Sequence, residues 1–410
     1  MDAVVLGVFA FVYVGMILGE LPGFKIDRTG IALLGAIVLV ATGRLSVDDA
    51  WSAIHVPTIA LLFALMVISA QFRLGGFYAA VTRRLGRQER SASGLLALVI
   101  VASGGLSAVL ANDIVCLAMA PVLIELCAQR RLNPIPFLLG LACAANVGSA
   151  ATLIGNPQNM LIGQTLQLSF AGYLADALVP SALGLAVVWL VIVAAYRQRW
   201  PGGAGRASAN VPPYNPWQTA KGAAATGFVV AAFLFTSWPR EVVALAAAGV
   251  LLLSRRMASR DMLGLIDWHL LVLFFGLFIV NRALAQSGLM SGLLMASRNA
   301  GADLSDPPIL FVATAALSNV VSNVPAVMLL LPAAREPIAG AVLALSSTLA
   351  GNLIVVGSIA NIIVVDQAAR LGVDIDWRTH ARIGIPVTAL TLALAAAWLA
   401  LRASQPLPFH

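Results

Sequence analysis

Asn112 and Asp113 stand side by side in the middle of an apolar stretch, residues 102–121, which reads Ala-Ser-Gly-Gly-Leu-Ser-Ala-Val-Leu-Ala-Asn-Asp-Ile-Val-Cys-Leu-Ala-Met-Ala-Pro. A carboxylate at the centre of a bilayer costs about 2.5–3.5 kcal/mol on insertion scales, so an acid kept there is a functional hypothesis by default. The stretch recurs at residues 313–332, where Leu317, Ser318, Asn323 and Pro332 match Leu106, Ser107, Asn112 and Pro121 at a distance of 211. Asp113 has no matched acid, because its counterpart is Val324. Two further polar islands lie in apolar surroundings, Asn146 to Asn159 and Ser346 to Asn361. The candidate substrate-binding residues are Ser107, Asn112, Asp113, Ser149, Thr152, Asn156 and Asn159 in the first half. In the second half they are Ser318, Ser322, Asn323, Asn352, Ser358 and Asn361. Asn112, Asp113 and Asn323 are also the candidates for holding a coupling ion, Na+ or a proton, with Asp113 the proton carrier.

The chemistry follows from broken helices. Gly155 and Pro157 interrupt the third island, and lipid cannot satisfy the backbone groups that a break frees. Freed N–H groups at the start of a half-helix carry partial positive charge and favour an anion. Freed carbonyls, with Asn and Thr oxygens, suit a small cation. Discontinuous helices that meet at the midplane are a transporter device.

The elements that must position these groups are membrane helices. Of 410 residues, 60% are hydrophobic and 10% charged, and the mean hydropathy is +0.92. This composition indicates an all-α polytopic membrane protein and excludes a soluble domain of this size. The net charge of +7 collects in short loops, a positive-inside pattern rather than a nucleic-acid footprint. Apolar runs predict spans near 3–22, 29–43, 53–72, 176–197, 217–236, 240–254, 266–284 and 381–401, with the first retained as a helix rather than cleaved as a signal peptide. Cys116, Cys127 and Cys143 all sit in apolar segments and suggest neither disulfides nor a metal site.

Self-similarity supplies the organisation. At a shift of 212, Arg28 falls on Arg240, Asp49 on Asp261, Ile54 on Ile266, Phe63 on Phe275 and Gly76 on Gly288. Gly155 meets Gly357 and Asn159 meets Asn361 at a shift of 202. The expected units are a first repeat at 1–197, a cytoplasmic linker at 198–216 and a second repeat at 217–410. Each repeat has about five transmembrane helices, a re-entrant hairpin (about 93–128 and 305–334) and a broken helix (about 136–168 and 339–368). The loop at 73–92 carries Arg73, Arg83, Arg84, Arg87 and Arg90, whereas its counterpart at 285–305 carries only Arg298. Residues 255–260 carry three Arg, against Arg44 followed by Asp48 and Asp49 in the first half. The bias flips between equivalent loops, so the repeats are inverted. That layout puts 73–92, 129–133, the linker, 255–265 and 370–380 in the cytoplasm, with both termini outward.

Blander readings apply at several positions. A lone Ser, Thr or Gly in a membrane helix more often serves packing than binding. Asp366 reads as solvated, Asp267 beside Trp268 as a cap or interface residue, and His55 in the equivalent place as structural. No zinc spacing, Gly-x-Ser-x-Gly or Walker loop is present, which argues against an enzyme or an ATP-driven pump.

Ala111-Asn112-Asp113, nine residues before Pro121, resembles the hairpin tip of arsenite permeases of the ArsB type. It is also similar to the Ser-Asn-Thr tip of dicarboxylate carriers, and Gly155-Asn156-Pro157-Gln158-Asn159 resembles YbiR-like permeases. The whole chain thus resembles the ion transporter superfamily of ArsB, NhaD and the divalent anion–sodium symporters. The resemblance implies a scaffold, a mobile transport part that moves in an elevator-like way, and substrate held by two tips and two broken helices. Two departures stand out. Val324 replaces the Thr of a full Ser-Asn-Thr signature, and Ala111 stands where NhaD-like chains carry an acid. The expectation is a secondary transporter of a small anion or neutral oxyacid in the cytoplasmic (inner) membrane, with no bound cofactor, no nucleic-acid partner and a possible homodimer. The alternative is a sodium–proton antiporter of the same fold, and a passive channel is a further rival.

Overall fold

A computed structural model describes residues 3–21, 23–88, 90–202 and 212–404. The central part of the predicted linker, residues 203–211, lies outside the described residues. Among the described residues, the first half folds into ten helices: α1 (Ala3–Leu18), α2 (Arg28–Ala41), α3 (Val47–Ala53), α4 (Val56–Leu74), α5 (Phe77–Gly86), α6 (Ala92–Val109), α7 (Asn112–Gln129), α8 (Ile135–Ser149), α9 (Pro157–Thr165) and α10 (Phe170–Ala195). The second half repeats the order with α11 (Pro216–Phe235), α12 (Arg240–Leu252), α13 (Ser259–Leu263), α14 (Trp268–Gln286), α15 (Leu289–Asn299), α16 (Pro307–Val321), α17 (Asn323–Leu330), α18 (Ala339–Ala350), α19 (Ile359–Arg370) and α20 (Trp377–Ala403). Among the described residues, seven helices are long and apolar enough to cross a membrane, and six shorter apolar ones accompany them.

Local chemistry places the ends. Asp27, Ser46, Ser91, Ser169, Asn215, Asp267 and Asp376 cap the helices that follow them by accepting a backbone N–H, which satisfies one of the donors a helix start leaves free. Gly76 and Gly288, matched positions of the two repeats, both take the left-handed conformation (φ 67° and 73°) that opens α5 and α15, where a side chain would be strained. The sequence pattern reads as loop in both segments. They are short helices with apolar and polar faces, and Arg83 and Arg84 in the last turn of α5 suit its negative end.

The packing is itself repeated. The pair α2–α14 has its counterpart in α12–α4, α6–α8 in α16–α18, α1–α2 in α11–α12, and α10 packs on α20 across the centre. Two bodies result: α1–α4 with α11–α14, and α6–α10 with α16–α20. They meet chiefly where α4 touches α7 and α9, α14 touches α17, and α1 touches α16. The second body buries the polar islands. Its α8 is wholly buried from Pro136 to Ser149, and α18 from Ala339 to Ala350. The outer surface is apolar, with Leu183, Leu190, Phe228, Phe235 and Val250 exposed, as hydrocarbon requires. Trp51, Trp217, Trp238, Trp268 and Trp377 are exposed near helix ends, as an aromatic belt would place them.

Candidate functional site

Four helices begin at one point. Hairpin α6–α7 turns through extended Leu110 and restarts at Asn112. Hairpin α16–α17 turns at Ser322 and restarts at Asn323. After the breaks, α9 starts at Pro157 behind Asn156, and α19 starts at Ile359 behind Ser358. A cavity of about 30 Å³ is lined by residues of all four starts, among them Asn112, Asp113, Asn156, Gln158, Ser322, Asn323 and Ser358, together with Asn146 of α8. No Lys, Arg or His lines it among the described residues. Each helix start carries roughly half a positive charge. Four of them sum to about +2, against which Asp113 is the single carboxylate among the described residues that line this cavity. Pro157 suits the first turn of α9, where its missing N–H would have no partner anyway.

The breaks are held by a hydrogen-bond network that obeys the repeat. Asn159 Nδ2 donates to the carbonyls of Ser149 (3.4 Å) and Thr152 (3.0 Å), ten and seven residues back. Asn361 Nδ2 donates to those of Gly351 (2.8 Å) and Ile354 (3.2 Å), again ten and seven back. Across the halves, Asn146 Nδ2 donates to Asn352 Oδ1 (2.8 Å) and Asn361 Oδ1 (3.1 Å). Its repeat mate Thr348 donates to Asn159 Oδ1 (3.4 Å). Ser358 Oγ donates to Asn146 Oδ1 (2.8 Å), and the equivalent Asn156 Nδ2 donates to Thr348 Oγ1 (3.3 Å). Two inverted copies meeting on an axis produce this reciprocity.

The residues singled out from the sequence divide by position. Asn112, Asp113, Asn156, Ser322, Asn323 and Ser358 line the cavity. Asn159, Asn352 and Asn361 each donate to backbone carbonyls behind it. Ser149 donates to the Asn146 carbonyl at 2.8 Å, and Thr152 donates to the Ala108 carbonyl, tying the break to hairpin α6–α7. Ser107 and Ser318 are fully buried in the arms α6 and α16, and the hydroxyl of each has no partner among the described residues. Asn112 Oδ1 is buried and unpartnered too. With its amide turned to donate, Asn323 reaches the carbonyls of Ser347 (3.1 Å) and Gly357 (3.2 Å).

Sequence reasoning passes over Asn146, Gln158 and Asp267 as site residues. The repeat held a signal for Asn146, since it precedes Asn159 by the same interval that separates Thr348 from Asn361. Asp267 caps α14 by accepting from Leu270 N (3.0 Å), as its position suggested. It also faces a second cavity of about 40 Å³ that adjoins the first and shares Asn112, Asp113, Asn156 and Pro157 with it.

Comparison with known proteins agrees with this architecture. Residues 13–343 match the family described as citrate transporter, CitMHS. A silicon efflux transporter of Oryza sativa subsp. japonica is 28% identical over 470 residues, covering 96% of each chain. A transporter named arsB from Dictyostelium discoideum is 30% identical over 173 residues, 42% of this chain and 31% of that one. Among solved structures, the YdaH transporter of Alcanivorax borkumensis superposes with a TM-score of 0.60 at 13% identity, covering 98% of this chain and 97% of that one. At that identity the likeness speaks for the fold alone. Inverted repeats, paired hairpins and a family match over most of the sequence lead to one conclusion: this multi-pass membrane protein belongs to the citrate transporter (CitMHS) family of the ion transporter superfamily.

Proposed function

We propose that the protein is a secondary active transporter of a small oxyanion or neutral oxyacid, held by the four helix starts and their Asn and Ser side chains. The observation that carries this reading is the convergence of α7, α9, α17 and α19 on one cavity without a cationic side chain. Partial charges spread over four helix starts suit a small charge or a polarised hydroxyl group. A polycarboxylate such as citrate would more often call for Arg forks. The cavity volume of about 30 Å³ is about twice what one water needs, which favours a small cargo. The name of the rice relative, a silicon efflux transporter, points to a neutral oxyacid as the first substrate to test.

Transport would proceed by movement of the second body, which carries hairpins and broken helices, against the first. Asp113 is the coupling residue in this reading. It stands at the second position of α7 with no hydrogen-bond or ionic partner among the described residues, so a proton or Na+ can neutralise it as substrate binds. The test is uptake into proteoliposomes of silicic acid, arsenite, phosphate and citrate, with imposed proton or sodium gradients. Accumulation of a small oxyacid driven by one gradient, lost in Asp113→Asn with the folded protein intact, is expected. Citrate as the sole cargo, or gradient-driven uptake surviving in Asp113→Asn, overturns the corresponding part. Sodium–proton exchange without any oxyacid transport would identify an antiporter instead.

A further inference from the structure

Asp113 is not alone in its cavity. The 40 Å³ space beside the four helix starts is lined by Leu62, Leu65 and Met66 of α4, by Met160 of α9, and by both Asp113 and Asp267. The two acids belong to different bodies. Asp113 lies at the hairpin tip that packs on α8 and α19, whereas Asp267 opens α14, which packs on α2. Asn112, only 5% exposed, lines the same space with an unpartnered side-chain oxygen. Among the described residues the Asp267 carboxylate accepts one hydrogen bond, from Leu270 N at 3.0 Å, and a carboxylate offers about four acceptor sites. At the repeat-equivalent positions stand Val324 and His55, so this acid pair exists once, not twice.

Two carboxylates that line one small space repel each other, and a cation between them relieves that repulsion. Among the described residues, no other group that lines either cavity supplies one. From α4 and α9 the cavity receives apolar side chains, and from α17 and α19 the adjoining cavity receives Asn323, Ser322 and Ser358. Along α7 and on α8 the nearest titratable groups are the buried thiols of Cys116 and Cys143. No Lys, Arg or His lines either cavity among the described residues. We infer that Asp113, Asp267 and the Asn112 side-chain oxygen form a site for one monovalent cation, a proton or Na+, that spans the two bodies. It rests on the reading of Asp113 as the coupling residue and adds Asp267 as its partner on the stationary side. Movement of one body splits the site. The cation is therefore held in the present arrangement and released in the other, which ties ion binding to the position of the cargo.

The experiment compares wild type, Asp113→Asn and Asp267→Asn by thermal stability in detergent. One arm titrates NaCl at fixed pH, and the other varies pH in choline chloride. Asn is as good a helix cap as Asp, so Asp267→Asn removes the charge and keeps α14 anchored. Stabilisation of wild type by one of the two cations is expected, with the midpoint shifted at least tenfold, or by a pH unit or more, in both variants. If Asp267→Asn titrates like wild type while Asp113→Asn does not, the paired site is wrong and the coupling role of Asp113 stands. If neither variant shifts the midpoint, both fail.

Contacts elsewhere carry a second inference. Arg240, at the start of α12 in the first body, donates to the carbonyls of Gly163 (3.3 Å), near the end of α9, and Leu168, in the turn that follows it, both in the second body. Beside it Gln164 Nε2 donates to Glu241 (3.2 Å). Arg28, its match in the first repeat, instead donates to Met16 O (3.1 Å) within its own body. The same asymmetry separates α5, which packs on α6 and α7, from α15, which packs on α14. We propose that Arg28 and Arg240 are alternating latches, and that in the reciprocal arrangement Arg28 grips backbone carbonyls at the C-terminal end of α19 while Arg240 lets go. Phe233→Cys, buried where α11 meets Phe170, reports the opening to a membrane-impermeant maleimide. With Arg240→Ala, labelling is expected to rise several-fold. With Arg28→Ala it is expected to fall. Equal or same-direction effects would overturn the alternation.

Discussion

Asn146→Ala probes whether the two halves are locked together at the cavity. Its side chain makes three buried hydrogen bonds across the repeat boundary, to Asn352 (2.8 Å), to Asn361 (3.1 Å) and from Ser358 (2.8 Å). At about 0.6–1 kcal/mol for each bond inside a membrane protein, their loss amounts to about 2–3 kcal/mol. Orphaned oxygens on Asn352 and Asn361 add to that. The repeat mate Thr348 makes longer contacts, at 3.1–3.4 Å, and Asn156 keeps its bonds to Ser149 when they go. Thr348→Val also preserves volume, so its cost should stay at about 1 kcal/mol or below. The difference, about 2 kcal/mol, is more than tenfold in an unfolding equilibrium. Reversible unfolding in mixed micelles, followed by circular dichroism, measures it. If the two variants prove equally stable, the cross-repeat network around Asn146 does not hold the two halves together.

Three further outcomes are expected. Ser322 sits at φ 77°, ψ 160°, a region open chiefly to glycine, so Ser322→Gly should stabilise the protein by about 1–2 kcal/mol in the same unfolding assay. Asp176 and Arg402 form a 2.6 Å ion pair between α10 and α20 at 8% and 12% side-chain exposure. Removing either partner alone should cost about 3–5 kcal/mol, and the double variant Asp176→Leu, Arg402→Met should recover much of it, which a double-mutant cycle checks. A Cβ on Gly148 would overlap the Gly104 carbonyl of hairpin α6–α7, whereas one on Gly104 would meet the flexible end of Leu185. Gly148→Ala should therefore lower stability by about 1–3 kcal/mol and Gly104→Ala by less, compared by melting temperature in one detergent.

The amino-acid sequence by itself determined the class of the protein, its repeat and where the chain must break. Those properties are local or periodic. Apolar runs mark the spans, matched Gly, Asn and Arg positions mark the copies, and Pro157 and the Ser-Asn of the second tip mark the restarts. Short helices such as α5 escaped because their apolar residues cover one narrow face and their Arg residues read as loop. Only the tertiary structure decided which polar residues face the cavity. Asn156 and Asn159 lie three apart in one island, yet the first lines the space and the second ties down backbone. Asp267 looked like a cap, and it is one. It also faces a space that it shares with Asp113, which belongs to the other repeat and is carried there by a different body. The physical reason is that a carbonyl, an amide or a carboxylate acquires its partner only when helices from both copies pack. Such a partner stands in the opposite half of the chain, beyond the reach of any local pattern.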